Sequence, residues 1–223
     1  MAEKKKEIAW DVLSQDLIEN FESYHEAFYN SRKFYGPSLH FHLRALQAIN
    51  EEKIEMTYAL LVSWGMHRMG KGGAKMKDFS HYSNSILECL DLIDKMKSKR
   101  LENIKVFEFD DIVNIFNKID AMESSKKLVA NSKVLAHYLP NLIAPIDRQH
   151  TLKYVGFKNY IGNYSESDVF KIIHLNLYKT VTEDQNFRKK AKMCIDNAKF
   201  KWDTSFPKII DNILIGKMIQ SKT

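Results

Sequence analysis

The sequence predicts an all-α fold, a multi-helix globular bundle, on three observations. Apolar residues recur at spacings of three and four along almost the whole chain, the period that gives a helix one apolar side. Only 8 glycines and 4 prolines occur in 223 residues, too few for the many turns of an all-β domain. No strand pair emerges, because VFEF and TVTED are short and isolated.

The elements follow in order. Ile8–Asn30 sets Trp10, Leu13, Leu17, Phe21, Tyr24 and Phe28 on one continuous apolar face. Gly36-Pro37 interrupts it, and a second helix runs through Leu39, Leu43, Leu46 and Ile49. Its partner, Glu52–Met66, carries Ile54, Tyr58, Leu61 and Trp64. Residues 69–80, MGKGGAKMKDFS, form the clearest loop. Asp78 or Ser80 can cap the next helix, His81–Arg100, whose basic end KMKSKR suits the negative end of the helix dipole. Phe109–Met122 and Ser124–Leu139 read as two more helices, with Ser124-Ser125 as the N-cap of the second. After Asp147 comes a short helix ending near Gly156, and Ser165 or Ser167 starts another through Ile172, Ile173, Leu175 and Leu177. Asn186–Phe200 is basic and amphipathic, and Pro207 opens the terminal helix PKIIDNILIGKMI. The expectation is one all-helical domain over 1–223, with residues 101–110 as the point where it would subdivide.

An apolar fraction of 44% and a charged fraction of 28% exclude a disordered chain. No apolar run approaches membrane-spanning length, and MAEKKKEIAWDVL has no uninterrupted apolar stretch behind its charges, so a cytoplasmic protein without a membrane partner is expected. Cys89 and Cys194 match no metal or redox spacing and read as two buried thiols. His40 and His42, two apart, diverge on a helix and make a poor metal pair. Neither a metal nor a cofactor is expected. The net charge of +6 is uneven: residues 111–223 carry 18 of the 34 Lys and Arg but only 11 of the 28 Asp and Glu. A basic half is the electrostatic footprint of a polyanion binder, or else a solvated surface that keeps the protein soluble.

Asn131–Lys153, NSKVLAHYLPNLIAPIDRQHTLK, carries the most chemistry. Lys133 and His137 are four apart and share a helix face. The Pro-punctuated loop delivers Asp147 to a helix start, where backbone N–H groups and the dipole keep it ionised. That suits a plain N-cap and equally a catalytic carboxylate held beside a cleft. Arg148 and His150 are expected to face outward from the first turn. A second constellation, Trp64-Gly-Met-His67-Arg68 leading to Lys71 and Lys75, ends a helix in a basic, glycine-containing loop that can hold phosphate without being a P-loop. A third, NFRKKAKMCIDNAKFK, presents Arg188, Lys189 and Lys190 for phosphate contacts that neutralise charge without reading sequence.

The run SKVLAHYLPNLIAPIDR resembles the lysine-to-aspartate segment of the helix-hairpin-helix DNA glycosylase superfamily over about 25 residues, Ser124 to Arg148. The resemblance implies Asp147 as the catalytic carboxylate and places Lys127 near the nucleophilic lysine of bifunctional members, with Lys133 as a neighbouring donor. WGMHRMG, SKVLAHYLPNLIAPIDR and PKIIDNILIG together are similar to a widespread prokaryotic protein family, which implies no particular activity. The functional expectation is DNA binding with glycosylase-like, base-directed chemistry, and with Trp64 and Tyr138 as walls for an extruded base. The alternative is a non-enzymatic helical module that binds a protein or ligand, in which Asp147 is only a cap. A homo-oligomer is compatible with either.

Overall fold

The computed structural model describes residues 8–31, 37–68, 75–157, 161 and 163–221. Among them twelve α-helices form, with no named strand and one isolated bridge, Met76 to Met122. They are α1 (Trp10–Glu19), α2 (Phe21–Asn30), α3 (Pro37–Gln47), α4 (Asn50–Ser63), α5 (Phe79–Leu87) and α6 (Leu90–Met96). There follow α7 (Val106–Lys118), α8 (Leu128–Tyr138), α9 (Glu166–Ile173), α10 (Lys179–Glu183), α11 (Gln185–Ile195) and α12 (Phe206–Gln220). No helix among the described residues is long and apolar enough to cross a membrane.

Local chemistry accounts for several starts. The side chains of Asp78, Ser165, Asp184 and Ser205 accept from the amides of His81, Asp168, Phe187 and Lys208, satisfying donors that a helix leaves orphaned. Pro207 sits in the first turn of α12, where its missing N–H costs nothing. Two long expected helices are each broken in two: Ile8–Asn30 at Asn20, and His81–Arg100 at Glu88–Cys89. At Asn20 the side-chain amide folds back onto the Asp16 carbonyl, 3.0 Å, competing with the helix ladder.

The start of α8 differs from expectation. Ser124-Ser125 does not cap it. The helix begins at Leu128, and the amides of Lys127 and Leu128 instead donate to one carboxylate oxygen of Glu166, at 2.5 and 2.7 Å. An acid from the first turn of α9 therefore occupies the anion-attracting end of α8.

Two helices are buried on nearly every side and organise the rest. From Ala130 to Tyr138 every residue of α8 is buried, as is α12 from Pro207 to Gly216. The main apolar core runs around them from Leu17 to Leu214, taking in Phe116, Leu135, Ile146, Phe170 and Leu177. Leu101 donates its amide to the Asn141 carbonyl, 3.1 Å, so the 101–110 segment is tied to the loop after α8. That loop is itself core: Leu142, Ile143, Ala144 and Ile146 are buried, and the Ile146 amide donates to Ser132 Oγ at 3.0 Å. The position of Asp147 is thereby fixed against α8.

Candidate functional site

Asp147 enters the turn Arg148–Leu152 with extended backbone, and its carboxylate accepts from the Gln149 amide at 2.7 Å, the expected cap. His150 Nδ1 approaches that same oxygen at 3.2 Å, and the other oxygen lies 3.3 Å from Lys133 Nζ. His150 therefore turns back toward Asp147 rather than outward, because the local π-helical turn brings residue i+3 over the carboxylate. Arg148 is exposed, as expected. Burial alone would push the Asp147 carboxyl up. The His150 hydrogen bond, the Lys133 charge and the Gln149 amide outweigh it and hold the carboxyl far below the usual range.

Lys133 is the unusual member. Its ammonium stands 4.2 Å from the centre of the Trp64 ring, so it is clasped between an indole face and a carboxylate. The Lys133 and Asp147 side chains are 11% and 27% exposed, so the pair touches solvent through the carboxylate. Trp64 caps the end of α4, and Gly65 follows with φ +75°, a left-handed turn that other residues adopt only with strain. Lys133 thus joins the Trp64 turn to the Asp147 helix start.

Behind Lys133 runs a buried histidine pair. His137 Nδ1 lies 2.6 Å from the Lys133 carbonyl, which can only accept, so Nδ1 carries the proton. Neutral His137 then accepts at Nε2 from His42 Nδ1, 2.7 Å away, leaving His42 Nε2 as a buried acceptor with no partner among the described residues. Burial holds both rings neutral. His137 is pushed down to about 4, with its bond to the Lys133 carbonyl opposing and the nearby lysines assisting, and His42 also falls well below its ordinary value.

Other expected site residues lie elsewhere. Lys127 stands one residue before α8, six residues or about 9 Å along the axis from Lys133. Its Nζ donates to the Asn117 carbonyl at 2.9 Å, and it borders a different pocket of about 600 Å³ shared with Lys77, His81, Glu88 and Asp120. Tyr138 is not a wall of the Asp147 site: five residues beyond Lys133, it points about 140° around the helix and is buried by α4 beside Lys53. His67 is exposed, with Nδ1 3.1 Å from the Val62 carbonyl, and Lys75 is exposed beside the Met76–Met122 bridge. Lys71, and the side chain of Arg68, lie outside the described residues. On α11, Lys189 is exposed and Arg188 half-buried, while Lys190 pairs with Glu22 at 2.8 Å and so has part of its charge neutralised.

Sequence reasoning missed a second buried polar network. Lys208 Nζ donates to Asp211 Oδ2 at 2.5 Å and to Asn212 Oδ1 at 2.7 Å. Asn212 Nδ2 donates to Asp203 Oδ1 at 2.7 Å, and Asp203 Oδ2 lies 2.6 Å from His25 Nε2. The available signal was three polar residues, Lys208, Asp211 and Asn212, inside the otherwise apolar PKIIDNILIG. Polar side chains at spacings of three and four within a buried helix face need partners from outside it.

The Lys133–Asp147 pair gives a stability prediction. Asp147→Asn preserves the cap but leaves the Lys133 ammonium clasped without its counter-charge, and about 2 kcal/mol of loss is expected. Lys133→Met should cost about as much, and the double variant less than the sum, by about 1 kcal/mol in urea melts. Strictly additive losses would mean that the pair is not coupled. Comparison of the chain with protein families, curated proteins and solved structures finds no match.

Proposed function

We propose that the protein binds nucleic acid and that Asp147 and Lys133 act on an extruded nucleotide in a glycosylase-like reaction. The observation that carries this reading is an ionised, partly exposed carboxylate 3.3 Å from a lysine that is itself stacked on an indole. Cleavage of an N-glycosidic bond builds positive charge on the sugar as the base departs with the bonding electrons. A preorganised carboxylate meets that charge without reorganisation. Trp64 offers the aromatic face against which an unstacked base can lie. Phosphate contacts come from side chains such as Arg148, Arg188 and Lys189.

A specific observation favours a second reading, a non-enzymatic helical module. The first amides of α8, where a helix-hairpin-helix protein grips a phosphate, are taken by Glu166. The 119–127 connection also contains no glycine to let a backbone approach closely.

The deciding measurement uses labelled single- and double-stranded oligonucleotides at rising salt, together with release of free base from mismatched or damaged duplex. Under the first reading, affinity falls steeply, with a slope near −3 on logarithmic axes for about three neutralised phosphates. The paired variant Arg188→Ala/Lys189→Ala flattens that slope by about two. Asp147→Asn cuts base release by about 100-fold or more while sparing binding. Salt-independent indifference to DNA would remove the first reading and leave the second.

A further inference from the structure

We infer that His25, Cys194 and Asp203 form a mononuclear site for a borderline-soft divalent cation of the zinc class. This goes beyond the Asp147 reading and does not depend on it. One donor atom from each, nitrogen, sulfur and oxygen, lies within 4.8 Å of the other two, and all three residues are buried. They come from separate elements: His25 from the middle of α2, Cys194 from the last turn of α11, and Asp203 from the segment after the turn Ala198–Phe200. Only folding assembles them.

The donor set suits the ion. A thiolate and a carboxylate supply two negative charges and a neutral imidazole completes the set, which balances a divalent cation. Sulfur and imidazole together select zinc or cobalt over magnesium and calcium, whose sites are built from oxygens. With bonds of about 2.0–2.3 Å, tetrahedral donors stand about 3.3–3.6 Å apart. The His25–Asp203 contact of 2.6 Å would open by under an ångström as the ion replaces the shared proton. Three protein donors leave the fourth position to water.

The surroundings match those of a metal centre. Asp203 Oδ1 is oriented by Asn212, and Asn212 is in turn held by Lys208, so the carboxylate is aimed by a second layer of hydrogen bonds. The His25 ring is fixed by Phe21, Tyr29 and Phe200, whose ring centres lie 5.6, 4.9 and 4.7 Å away. Cys194 is the most exposed of the three residues, at 8% against 6% for His25 and 3% for Asp203. Cys89, buried in the α5–α6 junction and in no such donor group among the described residues, is an internal control.

The test is titration of chelator-stripped, full-length protein with Co²⁺, followed by competition with Zn²⁺. One cobalt per chain is expected, with the near-ultraviolet absorption of a cobalt–thiolate bond, bleached as zinc displaces it. Zinc should also raise Tm. Cys194→Ser removes the thiolate band and Cys89→Ser leaves it intact. Asn212→Ala, which touches no metal, weakens cobalt binding about 10- to 100-fold. A wild-type protein that shows no thiolate band overturns the proposal whatever the variants do. So does a band that survives in Cys194→Ser or disappears in Cys89→Ser.

Discussion

Gly216→Ala should lower the stability of the protein by about 3 kcal/mol or more, a drop in Tm of about 6–12 °C. The sign is opposite to what the helix alone dictates. In the interior of α12 alanine is the better helix former by about 1 kcal/mol. Packing reverses the preference. A β-carbon at position 216 would stand 1.8 Å from the Tyr24 carbonyl oxygen, 2.7 Å from its carbon and 3.2 Å from the Phe28 amide nitrogen. All three are backbone atoms of α2, so no rotamer relieves the clash, and the helices must separate by more than an ångström. Separation strains the bonds that align them, Lys217 Nζ to the Tyr24 hydroxyl at 2.7 Å and Gln220 to Ser23 Oγ at 2.9 Å. It also opens the small cluster of Phe28, Trp202 and Ile215. Gly65→Ala is the informative control. Nothing lies within 4 Å of its β-carbon, so only the positive φ opposes it and about 1 kcal/mol is expected. Heat and urea melts of the two variants separate steric from conformational cost. A Gly216→Ala protein melting within 2 °C of wild type would mean that α2 and α12 do not approach this closely.

The helical fold was legible because periodicity and capping are local. Asp78, Ser165 and Asp147 each announce a helix start within a few residues, and each caps the helix it precedes. Breaks at Asn20 and Cys89 were not legible, since neither involves glycine or proline and the apolar stripe continues across both. The π-helical turns at Arg148–Leu152 and His174–Tyr178 leave no periodic trace either, although the first of them sends His150 toward Asp147. The start of α8 shows the limit most clearly. Its two serines are good caps by composition, but an acid 38 and 39 residues away takes the amides.

The candidate sites divide in the same way. Lys133 and Asp147 were readable as a pair because a helix and a short loop connect them, so few conformations keep them apart. Trp64 as the surface under Lys133 required tertiary structure, and so did the exclusion of Lys127 and Tyr138 from that cluster. His25, Cys194 and Asp203 were invisible as a set: 178 residues separate His25 from Asp203. What the sequence did contain was the cost of burying polar groups. Lys133 and His137 in α8, and Lys208, Asp211 and Asn212 in α12, lie in helices too apolar to be surface elements. Such residues persist in a core only with partners, so their positions mark where long-range polar networks must run.

Acidification from pH 6.5 to 4 should remove at least about 5 kcal/mol of folding stability, enough to unfold the protein near the lower end of that range. Two of the groups responsible are His137 and His174, each pushed from 6.5 down to about 4 chiefly by burial. In His174 the contacts to the Phe170 and Ala144 carbonyls, 2.8 and 3.1 Å, oppose that push without overcoming it. Both folded-state values lie below the unfolded one, so the unfolded chain binds the protons first. Their contribution is therefore fully present above pH 6.5 and is lost as pH falls toward 4. Each loss runs at about 1.4 kcal/mol per pH unit midway between the two values and tapers at either end, about 2.5 kcal/mol per group from pH 6.5 to 4. His42, hydrogen-bonded to His137 and also held well below its ordinary value by burial, adds a loss of the same sign. His25 acts in the opposite sense in metal-free protein: Asp203 and Cys194 overcome the effect of burial and raise it to about 9. That contribution is constant below pH 6.5 and leaves the acid limb untouched. Asp147, held low by His150 and Lys133 against its burial, adds a further loss only below its unfolded value near 3.9. Urea midpoints at half-unit intervals from pH 7.5 to 4.5 give the slope, which corresponds to uptake of about three protons on unfolding. His174→Met, which removes one titrating ring from the core, should lower that slope by about one proton even if the variant is less stable throughout. A stability profile that stays flat between pH 6.5 and 4.5 would mean that these rings are protonated or solvated in the folded protein, and the buried histidine pair behind Lys133 would have to be redrawn.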